Sequence, residues 1–366
     1  MPFERVLLSG YYGFANAGDE AVLSSIIGGL RSYIDRDLSI SVLSGNPVET
    51  ETSHKVHALS REIRGLGRAV GDCDLLISGG GSLIQDATSL RSLIYYLGVI
   101  RLAKLKRRKV MVLGQGIGPL RRGISRFLCR QVLNAVDLIT VRDADSQSLL
   151  REIGVRKPPI HVTADPACIL EPCSDEETKN LLEQCGINGV DDFVVVSLRN
   201  WVESPEIEQT ALEALKRLAE HLPVKILLLG MQVPDDLELS RRMHAVVGKT
   251  HLQSGAWTPK QIRGVIGKSR LVIGMRLHAL ILAASACVPC VGISYDPKVK
   301  SFQQSVGQDC LELKSLTADM LVDRVVKAWD ARETSAAELA EIVPGLKEAA
   351  VENFTLAARL LAYTSK

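Results

Sequence analysis

Arg276 and His278, two apart at the head of the run GMRLHALILAA, are the side chains best suited to chemistry in this 366-residue sequence. Arginine's planar fork matches a carboxylate or phosphate, and a histidine beside it can move a proton near neutral pH. The preceding residues, SRLVIG, read as a strand; those after, HALILAASACV, are apolar nearly all round and read as a buried helix. The pair therefore stands at a strand-to-helix junction, where the N–H groups of the helix terminus add anion-binding donors. With the chain still partly extended there, residues two apart are expected to point the same way. The pair has no acidic neighbour in the sequence, so the expected counter-charge is a bound anion. A histidine satisfied inside the core is the structural alternative.

Positioning such residues takes a sheet, and the hydrophobic pattern predicts one. The runs RVLLSG, SISVLSG, DLLISGGG, KVMVLGQG and DLITVRD each end in glycine or a polar residue, and four lead into helical sequence. Continuous apolar strands alternating with helices mean a parallel sheet covered on both faces. The pattern pauses across the polar stretch from Glu171 to Asp192, then restarts with DFVVVSLRN, VKILLLGMQ, SRLVIGMRLH and PCVGISYD. The expectation is an α/β chain with two Rossmann-like domains, residues 1–170 and 171–366, facing each other across a cleft. Helical sequence from about Leu316, broken at Pro344, predicts a final helix that crosses back to the first domain. Ligands of such sheets bind outside the carboxyl ends of the strands. The unusual residues cluster at those ends: Tyr11, Tyr12, Asn16 and Asp19; Gly79 to Ser82; Gln115, Gly116 and Gly118; Arg142 and Asp143. In the second half Arg199 and Asn200, Gly230 and Gln232, Arg276 and His278, then Tyr295, Asp296 and Lys298 hold the equivalent places.

Several functions are disfavoured. A net charge of +2 argues against a dedicated nucleic-acid binder. The eight cysteines lie mostly inside apolar segments, as reduced thiols do, and Cys287-Val-Pro-Cys290 reads as a helix-to-strand turn without a second metal-ligand pair. MPFERVLLSG is too short for a signal peptide, and the longest apolar run, Leu280 to Ile293, contains a proline and falls short of a membrane span, so the expected location is cytoplasmic. The first turn, GYYGFANAG, lacks the GxGxxG spacing of a dehydrogenase, and no Walker A lysine is present. LLISGGGSLIQD offers glycines and a helix N-terminus to an anion, a turn that also arises from close packing alone. The basic run Lys104, Lys106, Arg107, Arg108 and Lys109 reads as a solvated face or as a contact with an anionic membrane surface or an acceptor's diphosphate.

In order, GYYGFANAGDEAVL, GGGSLIQD, GQGIGP, VRDADS, TADPA, GMRLHALILAA and SYDPKV resemble the polysaccharide pyruvyltransferase family, most closely its bacterial cell-wall branch of the CsaB type. The resemblance implies a GT-B-like enzyme with neither metal nor cofactor. It would move the enolpyruvyl group of phosphoenolpyruvate onto two hydroxyls of a hexose as a cyclic 4,6-ketal. In the cell-wall branch the acceptor is a lipid-linked saccharide containing N-acetylmannosamine, and the product helps anchor surface-layer proteins. The family motif implies a donor site at Arg276, Leu277 and His278; for the chemistry this demands, His278 is assigned as the proton-transfer group, with Arg276 and Lys298 as anion clamps. Arg142 and Arg199 are further candidates for the donor. Tyr11, Tyr12, Asn16, Asp19 and Glu20, with Gly80, Gly81 and Gln115, are read as the sugar-acceptor side. Asp19 is equally an ordinary acid of a helix's first turn. A nucleotide-sugar glycosyltransferase of the same fold and a non-catalytic sugar-binding protein are the alternatives.

Overall fold

The computed structural model describes residues 4–34, 37–87, 89–188, 191–199 and 205–362; Asn200 lies outside them. The first seven strands are β1 (Glu4–Ser9), β2 (Leu38–Ser44), β3 (His57–Ser60), β4 (Leu75–Gly79), β5 (Lys109–Gln115), β6 (Leu138–Val141) and β7 (Ile160–Val162). They form one parallel sheet in the order β3-β2-β1-β4-β5-β6-β7. The next six are β8 (Phe193–Ser197), β9 (Lys225–Leu228), β10 (His251–Leu252), β11 (Leu271–Gly274), β12 (Cys290–Ser294) and β13 (Asp309–Glu312). Their order, β10-β9-β8-β11-β12-β13, repeats the scheme, again all parallel. Both sheets are thus Rossmann-like, with strand order reversing between β1 and β4 in one and between β8 and β11 in the other.

The central strands are buried on both faces, so their sequences read as unbroken apolar runs: LLISG of β4 and FVVVS of β8 are buried at every position. The four edge strands β3, β7, β10 and β13 are short and partly exposed, and the apolar pattern does not announce them.

The chain divides into two compact units. One holds residues 1–14, 19–169 and 347–366; the other holds Ala15–Gly18 and Leu170–Leu346. Each sheet has its own core, Leu7, Leu76, Val112 and Ile139 in the first, Val194, Leu228, Ile273 and Val291 in the second. The last helix, Arg332–Ala362, runs unbroken through Pro344, contrary to the expected break. The proline removes one N–H, while Leu339, Val343, Ala350, Phe354, Ala357 and Leu361 keep one stripe of the helix buried on either side of it. Residues from Lys347 belong to the first unit. There Asn353, fully buried, accepts from the hydroxyls of Thr140 and Thr163 and donates to Ala164 O.

Candidate functional site

Four neighbouring strands of the second sheet end in polar residues at one edge. β9 leads to Gly230 and Gln232, β8 to Arg199, β11 to Arg276, and β12 to Tyr295 and Asp296. β11 stops at Gly274 and the helix Leu277–Ser285 follows, a segment whose residues are all buried except His278. Arg276 is its N-cap residue and still extended (φ −79°, ψ 119°), whereas His278 already lies in the first turn. The two therefore do not share the common direction expected of an extended pair. Arg276 reaches the helix Asp235–Val247, and the imidazole of His278 packs on Gly18.

The expected lack of an acidic neighbour is overturned. Arg276 Nε and Nη2 donate to the two carboxylate oxygens of Asp236 at 2.9 and 2.6 Å. Asp236 is 0% exposed and also accepts from the backbone N–H of Met231 at 3.2 Å and of Gln232 at 2.9 Å. Burial demands this: an uncompensated carboxylate there would be costly, and charge-assisted bonds to both oxygens satisfy it. The side-on pairing uses the Nε/Nη2 edge of the guanidinium and leaves Nη1 on the far side. Nothing in the sequence marked Asp236, forty positions away and in a first turn where acids are ordinary.

Lys298 is also matched locally: its Nζ lies 3.3 Å from Asp296, whose carboxylate accepts from Lys298 N at 3.1 Å. The Arg199 guanidinium sits 5.1 Å from the centre of the Tyr295 ring. Leu277 buries its side chain, so its backbone N–H, at the first turn of the helix, is what it can offer a ligand.

The segment Ala15–Gly18, expected with the first domain, belongs to the second unit. Ala17 N donates to Met231 O at 2.8 Å, Val233 N donates to Ala15 O at 3.1 Å, and Asn16 Nδ2 donates to Gln232 Oε1 at 2.9 Å. Asn16 is thus committed to Gln232 and, through Oδ1, to Gly18 N.

In the first unit several expected acceptor residues prove to be internal. Tyr12 is 1% exposed and donates its hydroxyl to Gly79 O at 2.7 Å, tying the turn after β1 to β4; burial pushes that hydroxyl well above the usual phenol range. Gln115 is fully buried and donates to Ser78 O and Oγ at 2.8 and 3.0 Å. Glu20 accepts from Gly13 N at 2.7 Å and meets His54 Nε2 at 2.9 Å. Arg142, expected as a donor-site candidate, is buried against Asp165 at 3.0 Å and Ser82 at 3.1 Å. Tyr12, Gln115 and Arg142 brace the strand ends from buried positions, and the part-buried Glu20 ties Gly13 to His54.

What faces outward at the switch point of the first sheet is Tyr11, 38% exposed and stacked on Phe14 with ring centres 4.4 Å apart. Burial raises the Tyr11 hydroxyl, Asp19 adds to the shift, and Arg61 opposes it. Arg61 lies over Phe14 and Tyr95 at 5.0 and 4.4 Å, an arginine–aromatic cluster the sequence did not reveal. Gly80 and Gly81 have φ of +66° and +64°, and a Cβ on Gly81 would come within 2.9 Å of Asp19 Oδ1. Glycine there permits both the turn and the approach of the carboxylate.

The basic run sits at the amino end of β5, away from the strand ends that bear these residues. Lys104 pairs with Asp137 at 2.6 Å, Arg108 donates to Gly71 O, and Lys109 donates to Leu360 O at 2.8 Å. Only Lys106 and Arg107 of the five are exposed. No helix among the described residues is long and apolar enough to cross a membrane. Cys287 and Cys290 flank the turn between the helix Leu277–Ser285 and β12, where the sequence placed them. Among the described residues no group of three His, Cys, Asp or Glu is placed to hold a metal ion.

A model of the family described as polysaccharide pyruvyl transferase matches residues 16–297. The amylovoran biosynthesis protein AmsJ of Erwinia amylovora is 20% identical over 401 residues, covering 93% of this chain and 95% of the relative. Among solved structures, Anabaena HepE in complex with UDP and glucose superposes with a TM-score of 0.63 at 15% identity, over 98% of this chain and 100% of that one. The S. aureus MnaA–UDP structure gives 0.68 at 10% identity, over 95% and 94%. The UDP-GlcNAc 2-epimerase of Neisseria meningitidis bound to UDP-GlcNAc gives 0.63 at 10%, over 98% and 100%. At these identities the structural likeness establishes a GT-B-like fold and nothing narrower.

Proposed function

The chain belongs to the polysaccharide pyruvyl transferase family, and from that premise we propose that it transfers pyruvate from phosphoenolpyruvate to a hexose of a lipid-linked polysaccharide precursor as a cyclic 4,6-ketal. The observation that carries the reading is the family match itself, which runs from Asn16 to Pro297 and includes Arg276, Leu277 and His278 at a helix N-terminus. The relative named for amylovoran biosynthesis supports a polysaccharide acceptor. N-acetylmannosamine of a cell-wall polysaccharide, with a role in anchoring surface-layer proteins, is the finer assignment and rests on the resemblance of the sequence blocks.

The reaction sets definite demands. A proton is added to the methylene carbon of phosphoenolpyruvate, leaving an oxocarbenium-like centre at C2. One sugar hydroxyl adds there, the C2–O bond to phosphate breaks, and the second hydroxyl closes the ring. Of the two hydroxyl protons released, one balances the new methyl group and the other leaves with phosphate. We assign His278 as the group that moves the proton. Arg276 would bind the donor's carboxylate or phosphate through the N–H groups not used by Asp236, which holds the guanidinium in direction. Arg199, Lys298 and the helix N-terminus are assigned to the donor, and Tyr11 and Asp19 of the first unit to the acceptor.

The test is to incubate the protein with phosphoenolpyruvate and synthetic lipid-linked saccharides, following phosphate release and product mass. The expected result is acceptor-dependent phosphate release with one pyruvyl ketal per product, lowered roughly 10²–10⁴-fold in His278→Gln. Hexose transfer from a UDP-sugar with no ketal formed would replace this reading by the glycosyltransferase one. Binding of saccharide with no turnover of either donor would replace it by a non-catalytic one.

A further inference from the structure

We propose that Gly18 is a positioning residue for His278: its lack of a side chain is what seats the imidazole. The proposal rests on the assignment of His278 to proton transfer. A Cβ built on Gly18 would lie 2.3 Å from His278 Nδ1, 2.7 Å from Cγ and 2.9 Å from Cβ. The clash reaches the root of the histidine side chain, so a small rotation of the ring cannot relieve it. Backbone conformation does not explain the glycine, because its φ lies outside the left-handed range that favours glycine. Gly18 lies in the first turn of the helix Ala17–Tyr33, where helix propensity alone would favour alanine. What glycine supplies at this position is room.

Gly18 cannot retreat to make room, because its segment is pinned. Ala15 and Ala17 exchange backbone hydrogen bonds with Val233 and Met231, and Asn16 bonds both Gln232 and Gly18 N. The loop on the other side is pinned in turn. Asp236 accepts from the N–H groups of Met231 and Gln232 while holding Arg276 through both carboxylate oxygens. One chain of contacts therefore runs from the Arg276 guanidinium through Asp236 and residues 231–233 to Ala15–Gly18, and ends on the His278 ring. The two residues of the Arg-Leu-His motif, which diverge from the helix start, are referenced to the same short loop. Displacing a reacting group by about 1 Å can cost about 10² in rate, so a methyl group at Gly18 is expected to act on turnover.

Gly18→Ala should lower kcat by about 10²-fold while the KM for phosphoenolpyruvate changes less than about threefold. In a His278→Gln background the same substitution should cause no further loss, since it acts through the missing ring. A readout independent of activity is the ¹⁵N-histidine spectrum: among the seven histidines, the His278 resonance should move in Gly18→Ala while that of His161 holds. Normal kinetics in Gly18→Ala, an unchanged His278 resonance, or an equal loss in both backgrounds would each overturn the proposal. If wild type forms no ketal at all, the functional reading fails, and the spectrum alone still decides whether Gly18 seats the ring.

Discussion

Asn353→Ala should loosen the docking of the last helix, and the size of the effect follows from the hydrogen bonds it removes. Asn353 is 0% exposed; its Oδ1 accepts from Thr140 Oγ1 at 2.5 Å and Thr163 Oγ1 at 2.9 Å, and its Nδ2 donates to Ala164 O at 3.0 Å. Three bonds to other elements at about 1 kcal/mol each give about 3 kcal/mol. The two hydroxyls keep weaker acceptors, Val112 O and Val141 O, both at 3.4 Å, which prevents a larger loss. Because a chain of two compact units need not unfold in one step, hydrogen exchange resolved by residue is a better assay than a single melting curve. About 3 kcal/mol corresponds to about 10²-fold faster exchange at the amides of β6, β7 and residues 347–362. Asn353→Leu fills the volume without the bonds and should be as harmful. Exchange within about threefold of wild type in Asn353→Ala, or a rescue by leucine, would refute the reasoning, since either would mean the hydrogen bonds contribute little net stability.

Arg276→Lys should raise the KM for phosphoenolpyruvate by roughly tenfold and lower stability, because an ammonium reproduces neither the two-oxygen grip on Asp236 nor the planar fork of the guanidinium; steady-state kinetics and calorimetry check both. Tyr11→Ala should raise the acceptor KM while Tyr11→Phe keeps it, whereas Tyr12→Phe should leave KM alone and cost about 1–2 kcal/mol by removing the buried bond to Gly79 O. Asp86 gives an acid-side prediction: burial pushes its carboxyl up, but bonds from the N–H groups of Arg121 and Arg122, both 2.8 Å, hold it below the usual range. A depressed folded pKa means stability that is present above the unfolded value and lost as pH falls through the folded one. Asp86→Asn should therefore flatten the loss of stability below about pH 4 seen in urea titrations.

How much of this was legible in the sequence depended on how much burial each part carries. Central strands such as LLISG and FVVVS are buried at every position and read directly as strands. The edge strands β3, β7, β10 and β13 are half-covered and two to four residues long, so no apolar run marks them. The Arg276–His278 junction was legible because a strand, a glycine and an apolar helix define it locally. Its partners were not, since Asp236 and Gly18 reach it only through the fold, and an acid or a glycine in a helix's first turn looks ordinary. For Tyr12 and Gln115 the sequence shows polar residues at strand ends but not their partners, Gly79 O and Ser78, which lie on the neighbouring strand β4.

The same pairings bear on how an anionic donor would be held. Arg276 is matched by Asp236, Lys298 by Asp296, and Arg199 rests on the Tyr295 ring, so the edge of the second sheet is not a patch of uncompensated positive charge. A carboxylate beside an arginine cancels much of its long-range field, yet it fixes the direction of the remaining N–H groups, and direction is what a planar carboxylate or a tetrahedral phosphate reads. Under the proposed function, an anion arriving at Arg276 would meet a guanidinium already oriented by a fully buried partner. Preorganised donors of this kind favour the arrangement of charge that develops as the phosphate bond breaks more than they favour charge in general. Under the proposed function, Asp236 would serve the Arg-Leu-His motif by orienting Arg276, without touching substrate itself.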